Sequence, residues 1–245
     1  MRRLIGCWRL LRLVGHILAG VLIAAFRLPR LQPPARYAHI QAWALAFLGH
    51  AGIALEVRGR PPAAGPVLLV CNHLSWLDIP VMLAARHCRF VSKSDVRHWP
   101  VVGALATAAG TLYIERSSHR DALRVMHQMV EALKAGELLA VFPEGTTGDG
   151  RTLLPFHANL LQAAVSAGSP AQAVGLRFID RASGRTSHAP SYIGDETLVG
   201  SIWRTVCAPA IVAVVHYGRI ELCEGRDRRA WSRDLRDAVE VLLQS

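Results

Sequence analysis

Carboxylates are scarce in this chain of 245 residues. Asp and Glu total 18 against 28 Lys and Arg, a formal net charge of +10 with His neutral. The surplus of cations favours anionic partners: nucleic acid, anionic lipid surfaces, phosphorylated cofactors or acidic carrier proteins. Cysteine is sparse too. Cys7, Cys71, Cys88, Cys207 and Cys223 show no C-x-x-C spacing. That speaks against a zinc ribbon and a disulfide framework, and for buried thiols in a reducing compartment. The chain has no H-x-x-x-H or H-E-x-x-H pair to seed a metal-dependent hydrolase and no G-x-S-x-G elbow around Ser75. Its arginines are dispersed without a nucleic-acid-binding motif. Internal repeats and low-complexity tracts are absent.

What is present is apolar sequence, 51% of residues. A chain of this length and composition supports one large α/β domain, or one domain with an appendage. Its organising stretch is Asn72-His73-Leu74-Ser75-Trp76-Leu77-Asp78. Val67 to Cys71, before it, is wholly apolar and reads as a buried strand of a parallel sheet. Ile79-Pro80-Val81-Met82-Leu83, after it, reads as a helix start, with Pro80 tolerated in the first turn. His73 therefore stands where a strand ends and Asp78 where a helix begins. Across such a corner the carboxylate can meet the imidazole, fix its tautomer and support the imidazolium. Asp78 as a plain helix cap and His73 as a loop residue is the simpler alternative.

Strands are expected at 53–57, 67–71, 89–92, 111–115, 138–142, 171–178 and 211–215. Helices are expected to about 86, then at 101–109, 119–135, 158–167, from the 191–203 segment, and at 231–243. This alternation predicts an α/β fold with a mostly parallel sheet flanked by helices. Two further strand ends join the His73 corner. Arg116 follows one, and Glu144 follows another within Phe142-Pro143-Glu144-Gly145-Thr146-Thr147. Ligands of open α/β sheets bind at the carboxyl ends of strands, so His73, Asp78, Arg116 and Glu144 are expected around one cleft.

Residues 1–49 read differently. From Leu13 to Phe26 the only polar residue is His16. The run reaches the roughly 20 residues of a spanning helix only if counted from Leu4, with Arg9 and Arg12 snorkelling toward headgroups. Cations on both flanks, Arg2 and Arg3 against Arg27, Arg30 and Arg36, give no orientation. A proline-rich break precedes a second apolar helix at 36–49. We expect a two-helix anchor lying in one leaflet, with a straight span and a buried helical hairpin as alternatives. The expected domains are residues 1–49, the anchor, and 50–245, the α/β domain.

The three corners together resemble the glycerolipid acyltransferase family, which includes 1-acyl-glycerol-3-phosphate acyltransferases. Its N-H-x-x-x-x-D block is matched by Asn72, His73 and Asp78. Its G-x-x-x-I-x-R block is matched by Gly110, Ile114 and Arg116. Its F-P-E-G-T block is matched by Phe142, Pro143, Glu144, Gly145 and Thr146. The resemblance implies a membrane enzyme on the cytoplasmic face of the inner or plasma membrane. It would move a fatty acyl group from a thioester of acyl-carrier protein or coenzyme A to a lyso-lipid hydroxyl, with no bound cofactor and no metal. It makes His73 and Asp78 catalytic. It places Asn72, Arg116, Glu144, Gly145, Thr146, Thr147 and Asp149 on the substrate side. Many family members carry Arg where this chain has Thr147, followed by Gly148 and Asp149. A hydroxyl and a nearby carboxylate weaken the case for a phosphate headgroup. They resemble the branch that includes lyso-ornithine lipid acyltransferases, as does Tyr192-Ile193-Gly194-Asp195. Lyso-ornithine lipid and 1-acyl-glycerol-3-phosphate both stand as acceptors at this point. The rival classes are a serine or cysteine hydrolase using Ser75 or Cys71, a metal-dependent hydrolase using His73, Asp78, Glu144 and Asp149, and a non-enzymatic membrane-binding protein.

Overall fold

The computed structural model describes residues 1–115 and 118–245, with His119 described for its backbone alone. Seven strands form one sheet: β1 (Ile53–Arg58), β2 (Val67–Cys71), β3 (Arg89–Lys93), β4 (Leu112–Ile114), β5 (Leu138–Val141), β6 (Ala171–Asp180) and β7 (Ile211–Glu221). Their order is β1-β7-β6-β2-β5-β3-β4. Every pairing is parallel except β6 with β7. β2 and β5 are buried at every position, as expected for strands covered on both faces. The expected mostly parallel sheet is therefore present, with one antiparallel ladder. β7 runs six residues beyond its expected end at 215, through His216-Tyr217-Gly218-Arg219-Ile220-Glu221, because that stretch completes the antiparallel ladder with β6.

Helices cover both faces. On one side α2 (Pro33–Ala51) and α3 (Asp78–Ala85) close over Leu69, Phe90 and Leu176. On the other, α5 (His119–Lys134), α6 (Gln162–Ala167) and α8 (Arg228–Gln244) close over Leu68, Leu139 and Ala173. α1 (Arg2–Leu22), α4 (Val102–Ala108) and α7 (Leu198–Cys207) complete the set. α7 begins later than the 191–203 reading suggests. Thr197 accepts the Gly200 N–H as its cap, and the Asp195-Glu196 pair precedes the helix, where Glu196 reaches back to Arg204.

The amino-terminal helices differ from expectation. Among the described residues, one helical stretch, Arg2–Arg30, is long and apolar enough to cross a membrane. α2 instead buries Ile40, Ala44, Phe47, Leu48 and Ala51 in the core. α1 buries only Gly6, Leu13 and Gly20, a stripe repeating every seventh residue. Both glycines are needed for close approach: a Cβ at Gly6 would come 2.3 Å from Cys207 Sγ, and one at Gly20 would come 2.5 Å from Trp43 Nε1. Arg9, expected to snorkel, turns inward. Its Nη1 donates to the Val206 and Ala208 carbonyls at 3.0 and 2.9 Å, closing the carboxyl end of α7. The opposite face of α1 leaves Leu4, Trp8, Leu11, Leu18 and Leu22 exposed.

Candidate active site

The His73 corner is built by hydrogen bonds that replace the ladder where β2 stops. Asn72 is buried, and its side-chain amide pairs with Leu176 on β6 as a backbone amide would. Nδ2 donates to the Leu176 carbonyl at 2.9 Å, and Oδ1 accepts its N–H at 2.7 Å. Both ends of the amide expected on the substrate side are thus used to fix the corner to β6. Beyond it the chain turns outward. His73 Nδ1 lies 2.7 Å from Asp78 Oδ2, with the imidazole 20% exposed and the carboxylate fully buried. The same Oδ2 accepts the backbone N–H groups of Leu74 and Ser75 at 2.6 and 2.9 Å. Asp78 is therefore at once the first residue of α3, the clasp of its own turn and the partner of the imidazole. The strand-turn-helix geometry read from the sequence is the geometry observed.

Glu144 supports the corner from the adjacent strand. β5 pairs with β2, so the turn after β5 lies beside the turn after β2. Glu144 Oε1 accepts the His73 backbone N–H at 2.7 Å and Oε2 the Leu154 N–H at 3.0 Å. The His73 carbonyl accepts the Gly148 N–H at 2.8 Å. Burial raises the pKa of Glu144; the two N–H donors pull the other way without cancelling it. Gly145 holds a left-handed φ of +72°, which lets the chain reverse directly after Glu144. Phe142 lays its ring on the imidazole, centroids 4.1 Å apart and planes at 13°, and Phe90 stacks behind it at 5.7 Å. The imidazole is thus fixed by a carboxylate at one edge and an aromatic plane beneath. A cavity of about 170 Å³ opens beside Glu144, between Leu74, Gly148, Leu153 and Leu243.

The remaining expected residues are placed as follows. Thr146 is exposed. Thr147 Oγ1 donates to the Tyr192 carbonyl, and Tyr192 N–H donates to the Leu74 carbonyl at 3.4 Å, tying the 188–196 loop to both corners. Asp149 is exposed, and its Oδ1 accepts the Arg151 N–H at 2.9 Å, which holds the carboxyl below its usual range. Arg116 lies outside the described residues; β4, which leads to it, runs parallel to β3. The ring of Phe142 and the loop bond between Thr147 and Tyr192 were not foreseen. The Phe-Pro-Glu order flagged Phe142 as a motif member, but nothing in the pattern said what its ring touches.

The hydrolase readings lose their nucleophiles here. Ser75 is fully buried, with its hydroxyl donated to the Pro190 carbonyl. The Cys71 thiol is buried among Asp78, Glu144 and Cys88, which pushes its pKa well up and keeps it protonated. Among the described residues, no three His, Cys, Asp or Glu side chains converge as a metal ion would require.

A buried carboxylate against an imidazole 20% exposed, at the carboxyl edge of a parallel sheet, is an arrangement chemically able to take a proton from a bound hydroxyl. Comparison with known proteins agrees in sequence, length and fold. The family model described as Acyltransferase matches residues 54–177. The chain belongs to this family. It is 35% identical to a protein from Neisseria gonorrhoeae called 1-acyl-sn-glycerol-3-phosphate acyltransferase, over 86% of this chain and 83% of that one. It is also 35% identical to a lyso-ornithine lipid O-acyltransferase from Pseudomonas aeruginosa, over 99% and 95%. The crystal structure of the 1-acyl-sn-glycerophosphate acyltransferase PlsC from Thermotoga maritima superposes with a TM-score of 0.75 over 99% of this chain and 96% of that one, at 17% identity. That likeness is one of fold.

Proposed function

We propose that this acyltransferase transfers a fatty acyl group from an acyl thioester to the hydroxyl of a lyso-lipid, in membrane lipid biosynthesis. The observation that carries the reading is the His73–Asp78 contact at 2.7 Å. With Nδ1 held by the carboxylate, Nε2 is the nitrogen that meets substrate. It takes the proton of the acceptor hydroxyl as the oxygen attacks the thioester carbonyl. The tetrahedral oxyanion collapses, the thiolate leaves, and the imidazolium returns the proton to sulfur. Asp78 stabilises that imidazolium. Glu144 acts through the backbone of His73, and Arg116 is the cation for an anionic headgroup. The thioester is that of acyl-carrier protein or coenzyme A. α1, with α2 behind it, holds the enzyme on the cytoplasmic face of the membrane.

The finer reading concerns the acceptor. Position 147 is committed through its hydroxyl to the Tyr192 loop and supplies no cation. A phosphate monoester carries close to two charges and rewards a second cation; an ornithine headgroup carries one carboxylate and an ammonium. This favours lyso-ornithine lipid, with 1-acyl-glycerol-3-phosphate as the second reading, and each has a relative at the same identity.

The experiment is incubation of the detergent-solubilised protein with labelled acyl donor and a panel of lyso-lipids. Transfer to no lyso-lipid hydroxyl would remove the proposed reaction. Thr147→Arg should move the ratio of specificity constants toward lysophosphatidic acid by about 1 kcal/mol, while Thr147→Ser, which keeps the hydroxyl, should not. A wild-type enzyme with a strong preference for lysophosphatidic acid would reverse the acceptor assignment.

A further inference from the structure

The connector between β3 and α4 displays apolar side chains for which the folded protein has no use. Trp99, Val101 and Val102 are 42, 39 and 41% exposed, with Pro100 exposed between them. This is no loose loop. Gly103 seats it so closely that an added Cβ would come 2.2 Å from the Arg97 carbonyl oxygen. Gly103 N–H donates to the Trp99 carbonyl at 2.9 Å, and Val102 N–H donates to the Pro100 carbonyl at 2.6 Å. That last bond closes a γ-turn centred on Val101, with φ +66° and ψ −58°. The positive-φ γ-turn is the rare, strained form, and a β-branched residue is poorly suited to it. Glycine would relieve the strain. Instead a valine is held there and pointed outward, in an arrangement that water does not reward.

Three observations identify what it meets. The connector leaves the carboxyl end of β3, in the same parallel set as β2 and β5, so it stands on the sheet edge that carries His73. Ser94 Oγ donates to Glu115 Oε2 at 2.9 Å, which ties it to the segment leading to Arg116. α4, which follows directly, packs against the carboxyl end of the α1 helix, where Leu22 and Phe26 are exposed. Exposed Lys93 and Arg97 precede the knuckle, with Asp95 between them and Glu115 bonded to Ser94. An apolar tip beside an exposed apolar helix fits the boundary between headgroups and acyl chains, and the net charge of +10 of the whole chain favours an anionic leaflet.

We propose that Trp99-Pro100-Val101-Val102 is a second membrane contact, separate from α1, which inserts into an anionic leaflet and holds the sheet edge with the active site against the lipid. It rests on the acyltransferase reading only for its purpose; the insertion itself is tested without turnover. The full chain is reconstituted into vesicles of phosphatidylglycerol and phosphatidylcholine whose acyl chains are brominated, and tryptophan quenching is compared with that of Trp99→Phe. Wild type should show a quenched component that Trp99→Phe lacks. Val101→Asp/Val102→Asp should lose that component and slow acyl transfer to vesicle-borne acceptor about ten-fold, leaving transfer in detergent micelles unchanged. Val101→Gly should melt higher than wild type yet show less Trp99 quenching, a pair of changes that a purely structural turn would not produce. Trp99 emission unaffected by brominated chains, or a Trp99 contact that depends on protein concentration as between two copies, overturns the proposal. A wild type inactive in micelles but quenched at Trp99 would instead overturn the reaction and leave the contact standing.

Discussion

The His73 corner and the α1 seat are fixed by opposite means. At the corner, polar groups hold one another: the Asn72 amide pairs with Leu176, Asp78 Oδ2 meets three ring and backbone nitrogens while its Oδ1 is buried without a partner, and the Glu144 oxygens take His73 and Leu154. α1 is held mainly by shape, a stripe of Gly6, Leu13 and Gly20, with the inward Arg9 and a His16 ring whose Nε2 lies 2.9 Å from the Trp43 carbonyl. A polar network of this kind fixes position, and a group orphaned in it keeps its desolvation cost. A narrow apolar stripe sets distance and angle while leaving most of the helix surface to another solvent. The first kind of order stands at the corner proposed to carry the reaction, the second under the helix whose outer face is exposed and apolar.

The sharpest way to separate the two is to strip function from the corner without touching its frame. His73→Ala leaves the Asp78 bonds to Leu74 and Ser75 and the Glu144 bond to the residue-73 N–H in place. It should cut acyl transfer about 10²- to 10⁴-fold with a melting temperature close to wild type. A folded variant with near-normal turnover would take the base away from His73.

A smaller effect probes the α2 side of the helical seat. His87 is buried, stacks on Tyr37 of α2 at 4.2 Å, and has its pKa pushed down to about 4 by burial first and then by Arg86, Arg36 and Arg89. The folded pKa lies below the unfolded one. Stability is therefore full above about pH 6.5 and falls as pH drops, because the unfolded chain takes a proton that the folded one refuses until about pH 4. The loss across that window should reach at most about 3 kcal/mol. His87→Phe should flatten it in denaturant titrations at neutral and mildly acidic pH. An unchanged slope would assign the acid sensitivity to other groups.

The smallest expected effect is at α1 itself. Arg9→Met removes the guanidinium that lies over Gly52 and leaves the Val206 and Ala208 carbonyls without their donor. It should cost about 1–2 kcal/mol and increase proteolysis at the Leu31-Gln32 break before α2 in vesicles, with membrane binding and micellar turnover retained. Loss of membrane binding would mean that the seat, and not the outer face, is the anchor.

Much of the corner was legible because its spacing is a geometric statement. An apolar strand, five residues and a helix start allow His73 and Asp78 to meet, and they do. β2 and β5 were readable as buried because neither contains a polar residue. The direction of β7 was not, since apolar runs carry no arrow and the antiparallel ladder depends on a partner 30 or more residues away. Whether α2 joins the anchor or the core stayed open for a related reason. Composition reports that a face is apolar, not whether protein or lipid covers it. Arg9 was misjudged because an arginine in an apolar helix is read against the bilayer, whereas its carbonyl partners lie 197 and 199 residues away. The Thr147–Tyr192 bond was hidden likewise: a threonine in a turn advertises no partner.

That long separation has a consequence for how the protein is made. At a synthesis rate of roughly 5–20 residues per second, α1 leaves the ribosome on the order of 10–40 seconds before the end of α7 that Arg9 closes. In that interval Gly20 can already meet Trp43 of α2, but the Gly6 contact with Cys207 and the carbonyls that Arg9 caps are still to come. A helix buried on one narrow stripe can accept that later partner without covering its outer face, so α1 is fully seated on the domain only when synthesis is nearly complete, while Leu4, Trp8, Leu11, Leu18 and Leu22 stay exposed throughout.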